Sequence, residues 1–418
     1  MTSGKILYPF IVLLLLFHSG AEAQNMAVYV PLLKKTYFVY YGTEAPDTGN
    51  AKILISFFDH VTRKVPRPVI VSENIGVSNR QDIAKLSIDS RGYIWVFVSG
   101  QGRTRPGYIY KSEKPWSIEN FRQTWCGEIV FPQAWWMNDT AFLMMHTRVS
   151  KGRDLYWTTG KDGSSWAPAQ KLAGAGGHFQ ITNVSGKRLF SVFNVFPGGS
   201  TEKQTNLYLV YTDDMGKTWK TIDDEIIDTP ISQIENKALV HDYRSEGKLV
   251  YIHDLNFDEE GNPVILLMTN NNSKSGPGEP GEWVVVSRRN GTWNHSKVCS
   301  MPNNYRPGSL YISENEWRLT GPSDHKISKP VTGGSMVLWI STDRGQTWIK
   351  SAGVSCGSPD QSIVQRPLNP DDEFYAFWSE GATEKTPSSI LFTNKKFDRV
   401  WMLPCFAKKE WDRPVRVK

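Results

Sequence analysis

The sequence predicts an all-β fold, a seven-bladed β-propeller, and three observations support this prediction. Short runs of alternating apolar and polar residues recur along the chain, and helical periodicity is almost absent. An eight-residue pattern ending in Trp follows such a run at residues 159–166, 212–219 and 341–348. A longer unit containing that pattern recurs about every 50 residues, the range that propeller repeats occupy.

Each eight-residue segment is predicted to form a hairpin turn. Asp214 and Asp343 hold the same position in the two full copies, and the copy at 159–166 is degenerate. The carboxylate can accept backbone N–H bonds across the turn, Gly permits a positive φ, and the Trp packs against the next sheet. This pattern resembles the Asp-box (BNR) hairpin of β-propellers. Such hairpins are expected to stabilise the fold and not to carry catalysis.

The complete repeat is predicted to contain four strands. Its first half recurs at residues 86–98, 136–145, 182–192, 255–267, 310–319 and 368–378, and the less regular segment 37–71 supplies a seventh unit. A blade of this kind cannot bury both faces alone and must stack on neighbours. The predicted organisation is a signal peptide over residues 1–23 and a single propeller domain over residues 24–418.

The N-terminal residues are typical of a secretory signal peptide. Lys5 precedes an apolar run over residues 6–17, and Ala21-Glu22-Ala23 is an A-x-A cleavage site. The run is shorter than the roughly 20 apolar residues of a membrane span. A secreted, extracellular protein without a transmembrane segment is therefore expected.

Secretion would permit glycosylation and disulfide formation. The glycosylation candidates are the Asn residues of five N-x-S/T sequons: Asn138, Asn183, Asn271, Asn290 and Asn294. Up to two disulfides in three possible pairings can form among the four cysteines, Cys126, Cys299, Cys356 and Cys405. No Cys or His cluster indicates a metal site, and no cofactor is expected.

The charge balance favours an acidic partner. The chain has 48 Lys and Arg against 42 Asp and Glu, a net charge of +6. The excess is spread out and lacks the basic run that nucleic-acid binders use, so no nucleic-acid partner is expected. An anionic polysaccharide or a matrix glycan fits this balance, and the oligomeric state stays open.

From about residue 79 to residue 404 the chain resembles BNR-repeat propellers related to ulvan-lyase-type polysaccharide lyases. The motifs that carry the resemblance include Phe131-Pro-Gln133, Gly176-Gly-His-Phe-Gln180 and Arg366-Pro-Leu-Asn369. Lyases of this group cleave uronic-acid polysaccharides by β-elimination. The resemblance implies a sugar-binding cleft formed by Gln81, Gln101, Arg103, Gln133, Arg153, His178 and Arg366.

The chain departs from the family at the residues that elimination requires. Three histidines of the family pattern correspond to Gln81, Gln101 and Gln361. β-Elimination needs a base, a group that neutralises the uronate carboxylate and an acid for the leaving oxygen. Gln still forms hydrogen bonds but cannot exchange a proton near pH 7. The first expectation is therefore a non-catalytic glycan-binding protein, for example an extracellular or skeletal matrix component.

Two alternatives stay open. In an active polysaccharide lyase, His178 would be the base, acting with a Tyr, although a structural His is the commoner role. The other alternative is a structural scaffold that binds proteins. Arg153 and Arg366 can pair a sugar carboxylate or sulfate, or form structural salt bridges. A sialidase is disfavoured because its Arg-Ile-Pro motif is absent from the sequence.

Overall fold

The structure is a computed structural model that describes residues 26–42, 52–73, 84–149, 152–200, 203–271, 281–301, 308–322, 336–354, 364–380, 389–404 and 409–418. Its strands form seven antiparallel blades arranged as a β-propeller, which confirms the predicted fold class. Two short 3-10 turns, Pro31–Leu33 and Pro197–Gly199, interrupt the strands. Within the described ranges, no helix has the length and apolar character needed to cross a membrane.

In blades 1 to 4 consecutive strands pair with one another, and blade 4 has a split outer edge because its third strand pairs with two later segments. The strands of these blades are β1 (Ala27–Val30), β2 (Lys35–Gly42), β3 (Lys52–Asp59) and β5 (Val69–Ser72) in blade 1; β6 (Lys85–Ile88), β7 (Ile94–Val98), β8 (Gly107–Ser112) and β9 (Phe121–Gly127) in blade 2; β10 (Val130–Met137), β11 (Ala141–Val149), β12 (Arg153–Gly160) and β13 (Gln170–Ala173) in blade 3; and β14 (Gln180–Ser185), β15 (Arg188–Val195), β16 (Thr205–Thr212), β17 (Trp219–Lys220), β18 (Ile226–Ile227) and β19 (Leu239–His241) in blade 4.

Blades 5 to 7 continue this order, and in blade 7 the innermost position is held by a bridge between Gln365 and Phe377. The strands are β20 (Lys248–Phe257), β21 (Pro263–Asn271), β22 (Gly281–Arg289) and β23 (Thr292–Met301) in blade 5; β24 (Ser309–Ile312), β25 (Trp317–Pro322), β26 (Met336–Ser341) and β27 (Ile349–Val354) in blade 6; and β28 (Ala376–Glu380), β29 (Ser389–Thr393), β30 (Val400–Met402) and β32 (Val415–Arg416) in blade 7.

The ring closes between blades 1 and 7 at two distances from its axis. Near the axis, the backbone N–H of Tyr29 donates to the Leu368 carbonyl at 2.9 Å, and the Leu368 N–H donates to Ala27 at 2.8 Å. At the outer edge, β31 (Trp411–Asp412) pairs with β4 (Val65–Pro66), which follows β3 of blade 1. Since β32 pairs with blade 7, the C-terminal segment joins the two blades that the chain makes first and last.

Aromatic side chains fill the spaces between the blades. Trp157 of blade 3 and Trp219 of blade 4 meet edge to face at 5.5 Å, and Trp283 and Trp339 of blades 5 and 6 repeat this geometry at the same distance. Trp219 and Trp283 are almost completely buried. Half of the 16 Trp residues that the composition offers for sugar stacking are thus buried inside the ring.

The three Trp-ending turns connect the third and fourth strands of blades 3, 4 and 6, the equivalent positions that the repeat predicts. In each turn the carboxylate accepts backbone N–H bonds at 2.9–3.0 Å: Asp162 from Ser164 and Ser165, Asp214 from Thr218, and Asp343 from Gln346 and Thr347. Gly216 has φ +84°, and a Cβ there would overlap the Trp157 indole. The turn therefore also contacts the neighbouring blade.

A fourth carboxylate-capped turn was not predicted from the sequence. Asp59 accepts the backbone N–H groups of Val61 at 3.0 Å and Thr62 at 2.8 Å in the corresponding turn of blade 1. This turn contains neither Gly nor Trp, so the eight-residue pattern does not detect it.

The described residues bear on some of the predicted modifications. Asn138, Asn271, Asn290 and Asn294 are exposed, but Asn183 is buried on the innermost strand of blade 4. Its Nδ2 donates to the Leu255 carbonyl of blade 5 at 2.8 Å, so the folded structure is incompatible with a glycan there. This candidate site is corrected, while the other four sequons stay predictions.

The structure describes two of the four cysteines for which disulfides are predicted. Cys126 is exposed and forms no disulfide among the described residues. Cys299 is half-buried on β23, and its Sγ lies 3.8 Å from Met301 Sδ. Cys356 and Cys405 lie outside the described residues. Disulfides that involve Cys356 or Cys405, in any of the possible pairings, therefore stay a prediction.

We expect Asp214→Ala to lower the free energy of unfolding by about 1–2 kcal/mol, because it removes a carboxylate acceptor from backbone and hydroxyl donors. The matched control is Asp213→Ala, which removes only the surface ion pair with Lys220 at 3.2 Å. That change should cost about 0.5 kcal/mol or less. Urea unfolding midpoints measure both effects, and equal effects of the two substitutions would contradict the capping role.

Candidate functional site

The face of the ring opposite the capped turns carries a cluster of cationic residues on blades 2 and 3. The cluster combines the loop after β7, the start of β10 and the facing ends of β11 and β12. We call it the basic rim and define it by Gln101, Arg103, Arg105, Phe131, Arg148 and Arg153. Sequence analysis predicted Gln101, Arg103 and Arg153 as site residues, and the structure places them on this rim.

Backbone contacts hold the parts of the rim together. The Gly100 N–H donates to the Ile129 carbonyl at 2.8 Å, and the Phe131 N–H donates to Ser99 Oγ at 3.0 Å. The blade 2 loop packs against the end of β11, because a Cβ placed on Gly102 would lie only 3.3 Å from the Cβ of Val149. The loop is closed by the Gln101 N–H, which donates to the Arg105 carbonyl at 2.9 Å.

Phe131 and Arg153 form the centre of the rim. Phe131 lies in a β-bulge of β10 and has φ +54°. A bulge commonly changes the direction in which a side chain projects from the strand. The Arg153 guanidinium carbon lies 5.4 Å from the centre of the Phe131 ring, within cation–π range. Arg153 is half-buried and Arg103 is exposed, so both cations are accessible at the surface.

Arg148 belongs to the rim but was missed by sequence reasoning. Its guanidinium carbon lies 4.9 Å from the centre of the Tyr156 ring, and its Nε is buried without a hydrogen-bond partner among the described residues. The His146 ring stacks on the same Tyr156 ring, with 5.9 Å between the two ring centres. The alternation of β11 places Arg148 and His146 on one face, and this periodicity is the signal that could have identified Arg148.

Asp154, the acidic residue opposite Arg148 on β12, is already paired. Asp154 accepts an ion pair from Lys171 at 2.7 Å. The four rim arginines carry guanidinium groups, which are donors suited to a carboxylate or sulfate.

His178 lies beneath the rim, and both of its ring nitrogens are engaged. The Ala175 N–H donates to Nε2 at 3.0 Å, so Nε2 is unprotonated and Nδ1–H donates to the Asn194 carbonyl at 2.7 Å. Burial lowers the pKa of His178 to about 4. A ring in this arrangement has no free nitrogen for a substrate proton, so the possible base role is not supported by the geometry.

His178 instead positions the loop between β13 and β14. Its backbone N–H donates to the Arg153 carbonyl at 2.9 Å. The preceding Gly177 has φ +135°, a conformation that L side chains rarely adopt, and its carbonyl accepts from the Phe196 N–H at 2.8 Å. The loop is thus fixed between Arg153 and blade 4.

Gln133 is a contact between blades and not a rim residue. Its Oε1 accepts the Thr182 N–H at 2.7 Å, and its Nε2 donates to the Gln180 carbonyl at 3.0 Å. The side chain is buried, and both ends of its amide join blade 3 to blade 4. Its predicted substrate-binding role is therefore corrected.

Arg366 is also separate from the rim. It pairs with Asp254 of blade 5 at 3.3 Å, and the two side chains are only 12% and 2% exposed. Asp254 also accepts the backbone N–H groups of Leu255 at 2.8 Å and Leu310 at 2.6 Å. Arg366 is thus the buried structural partner of a carboxylate, which replaces its predicted role in sugar binding.

Two of the predicted positions, Gln81 and Gln361, lie outside the described residues. Within the described ranges, no group of three or more His, Cys, Asp or Glu side chains is arranged to hold a metal ion.

The chain belongs to the BNR repeat-containing family, whose model matches residues 78–301, more than half of the chain. The fold is similar to that of an ulvan lyase of polysaccharide lyase family PL25, with a TM-score of 0.75, 13% identity and coverage of 90% of this chain and 93% of the lyase. A structure of such a lyase bound to -[GlcA(1-4)Rha3S]- gives a TM-score of 0.74 at 12% identity, covering 91% and 94%. At these identities the similarity shows the propeller fold alone. Comparison with curated proteins gives no match.

We expect Arg366→Ala to destabilise the fold by about 3 kcal/mol or more, because it leaves the buried Asp254 carboxylate without its charge partner. Arg153→Ala, on the half-buried rim, is the control and should have a much smaller effect on stability. Thermal and urea unfolding measure both. A wild-type melt for Arg366→Ala would show that the pair is not structural.

We expect the free energy of unfolding to fall in mild acid, because the protein contains buried histidines. Burial lowers the pKa of His146 and His253 to about 3, and the ordinary value is 6.5. The unfolded chain therefore binds more protons between these values, so stability is complete above about pH 6.5 and falls as the pH drops through this window.

Each such group can contribute a slope of about 1.4 kcal/mol per pH unit. Urea unfolding between pH 7 and pH 5 measures the slope. The double substitution His146→Met and His253→Met removes two titrating groups and should flatten it. An unchanged slope in that variant would assign the acid sensitivity to other groups.

Proposed function

We propose that this protein is a secreted glycoprotein that binds an anionic polysaccharide or matrix glycan at the basic rim without cleaving it. The observation that supports this proposal most directly is the placement of four arginines, Arg103, Arg105, Arg148 and Arg153, at the loop ends of blades 2 and 3, where the Arg153 guanidinium carbon lies 5.4 Å from the centre of the Phe131 ring. Uronate carboxylates and sugar sulfates are planar or multidentate acceptors that guanidinium groups recognise well.

The rim offers accessible cations in an ordered frame. Hydrogen bonds at Gly100 and Phe131 fix blade 2 against blade 3, so the arginines are held on a rigid surface and lose little freedom on binding.

The absence of turnover is proposed from the chemistry of the available groups. His178 is buried with both ring nitrogens engaged, and the rim residue aligned with a family histidine is Gln101. Arginine stays protonated at any physiological pH, and glutamine does not titrate. An active lyase, the alternative reaction, would need a base other than His178.

The extracellular location and the glycans at exposed sequons are part of the proposal. They are supported by the A-x-A motif at residues 21–23 and by the exposure of Asn138, Asn290 and Asn294. A matrix component is the role that combines secretion with glycan binding and no turnover.

We expect the purified protein to be retained on immobilised uronate or sulfated polysaccharide at low salt and to be released as salt rises, because exposed charges are screened beyond about 8 Å at physiological ionic strength. The double substitution Arg148→Ala and Arg153→Ala should weaken binding about tenfold or more, because it removes two charge-assisted donors. Affinity chromatography and surface plasmon resonance measure these effects.

The matched control is Lys187→Ala with Arg188→Ala, which removes the same charge from the opposite face of the ring, at the turn between β14 and β15. Equal weakening by both double variants would indicate a non-specific charge effect. Failure of the wild type to bind any acidic glycan at low salt would favour a protein-binding scaffold. In parallel, the absorbance of unsaturated uronate should stay at background, and a robust signal would establish the lyase instead.

A further inference from the structure

A cavity adjoins the basic rim on its blade 4 side. Its volume is about 370 Å³, and it is lined by Ala175, Ser232, Gln233, Ile234 and Glu235. This volume lies within the range of small-ligand pockets. The cavity is formed where the outer segment of blade 4 crosses onto blade 3.

The wall of this cavity is a fixed part of the fold. The Ile231 N–H donates to the Leu172 carbonyl at 2.8 Å, and the Ile231 carbonyl accepts the Gly174 N–H at 2.9 Å. Further along, the Tyr208 hydroxyl donates to the Ile234 carbonyl at 2.8 Å. Ile231 is buried in the core between blades 3 and 4, so the segment is held at both ends.

His178 connects this cavity to the basic rim. Ala175, on the cavity wall, donates its backbone N–H to His178 Nε2 at 3.0 Å. The His178 backbone N–H then donates to the Arg153 carbonyl at 2.9 Å. Two hydrogen bonds therefore separate the cavity wall from the backbone of a rim arginine, and an extended chain bound at the rim would reach the cavity.

The cavity has a chemistry opposite to that of the rim. The rim presents cations, whereas the cavity presents the Ser232 hydroxyl, the Gln233 amide and the Glu235 carboxylate. These three side chains are exposed, and none of them forms a hydrogen bond or an ion pair with another described residue. They can accept and donate hydrogen bonds to sugar hydroxyls, but the Glu235 carboxylate repels a second carboxylate or sulfate.

We propose that this cavity is a subsite for an uncharged sugar unit, so that the protein selects polysaccharides in which charged and uncharged units alternate. The inference rests on the proposed function, since it assigns the neighbouring charged unit to Arg148 and Arg153. Attraction at the rim and repulsion at Glu235 together fix the register of the chain, which is a common way to obtain specificity.

The test compares two polymers of matched length at low salt: hyaluronan, in which glucuronate alternates with an uncharged amino sugar, and polygalacturonate, in which every unit is charged. We expect the wild type to bind hyaluronan about fivefold more tightly or better, the effect of one like-charge contact near a surface. Glu235→Gln should tighten polygalacturonate binding by a similar factor and leave hyaluronan binding within about twofold. Asp228→Asn is the control, because it removes an exposed acid from the same segment outside the cavity.

A loss of preference in Glu235→Gln but not in Asp228→Asn supports the subsite. Equal binding of both polymers by the wild type, or the same change in both variants, overturns the subsite and leaves glycan binding at the rim intact. Binding of neither polymer by the wild type, or of any other acidic glycan, overturns the proposed function and the subsite with it. Circular dichroism of each variant checks that it is folded.

Discussion

The structure depends on the packing of each blade against its neighbours. A four-stranded sheet with two apolar faces cannot be stable in water alone, and here the faces meet through large aromatic side chains such as Trp157, Trp219 and Trp283. The turns take part in this packing, because Gly216 has no side chain and so admits the Trp157 indole. Each blade is therefore stable only within the ring. This explains why the ring needs closure at its inner strands and again at its outer edge, where the C-terminal strands join blades 1 and 7.

The same constraint separates structural chemistry from functional chemistry. On one face, the carboxylates of Asp59, Asp162, Asp214 and Asp343 are used by backbone donors of their own turns. Their polar groups are satisfied within the fold, so this face has few free acceptors at the turns. The opposite face carries the loops after the second strand of each blade, and the arginines of the basic rim lie there at exposed or half-buried positions. Function is thus expected where the fold does not need the side chains for its own stability.

Sequence patterns predicted those parts of the molecule that depend on neighbouring residues in the chain. The alternation of apolar residues located the inner hairpins, and the eight-residue pattern located three of the capped turns. The pattern failed at Asp59, because that turn keeps the carboxylate without Gly or Trp. It also could not show that Arg366 pairs with Asp254, since the two residues are far apart in sequence and meet only when blades 5 and 7 are in the ring. The buried amide of Asn183 was missed for the same reason: its partner lies in the next blade.

The proposed ligand surface, the basic rim, places different physical demands on its arginines than catalysis places on a base. A catalytic base must be able to exchange a proton near neutral pH, and such a group requires partial access to solvent and to the substrate. His178 has lost that access because its ring fixes the loop between Ala175 and Asn194. The arginines have no such requirement, since a guanidinium needs only to stay charged and to present its donors. In the proposed glycan-binding role, the rim arginines would therefore supply the charged donors, while the buried His178 would hold the adjacent loop in place.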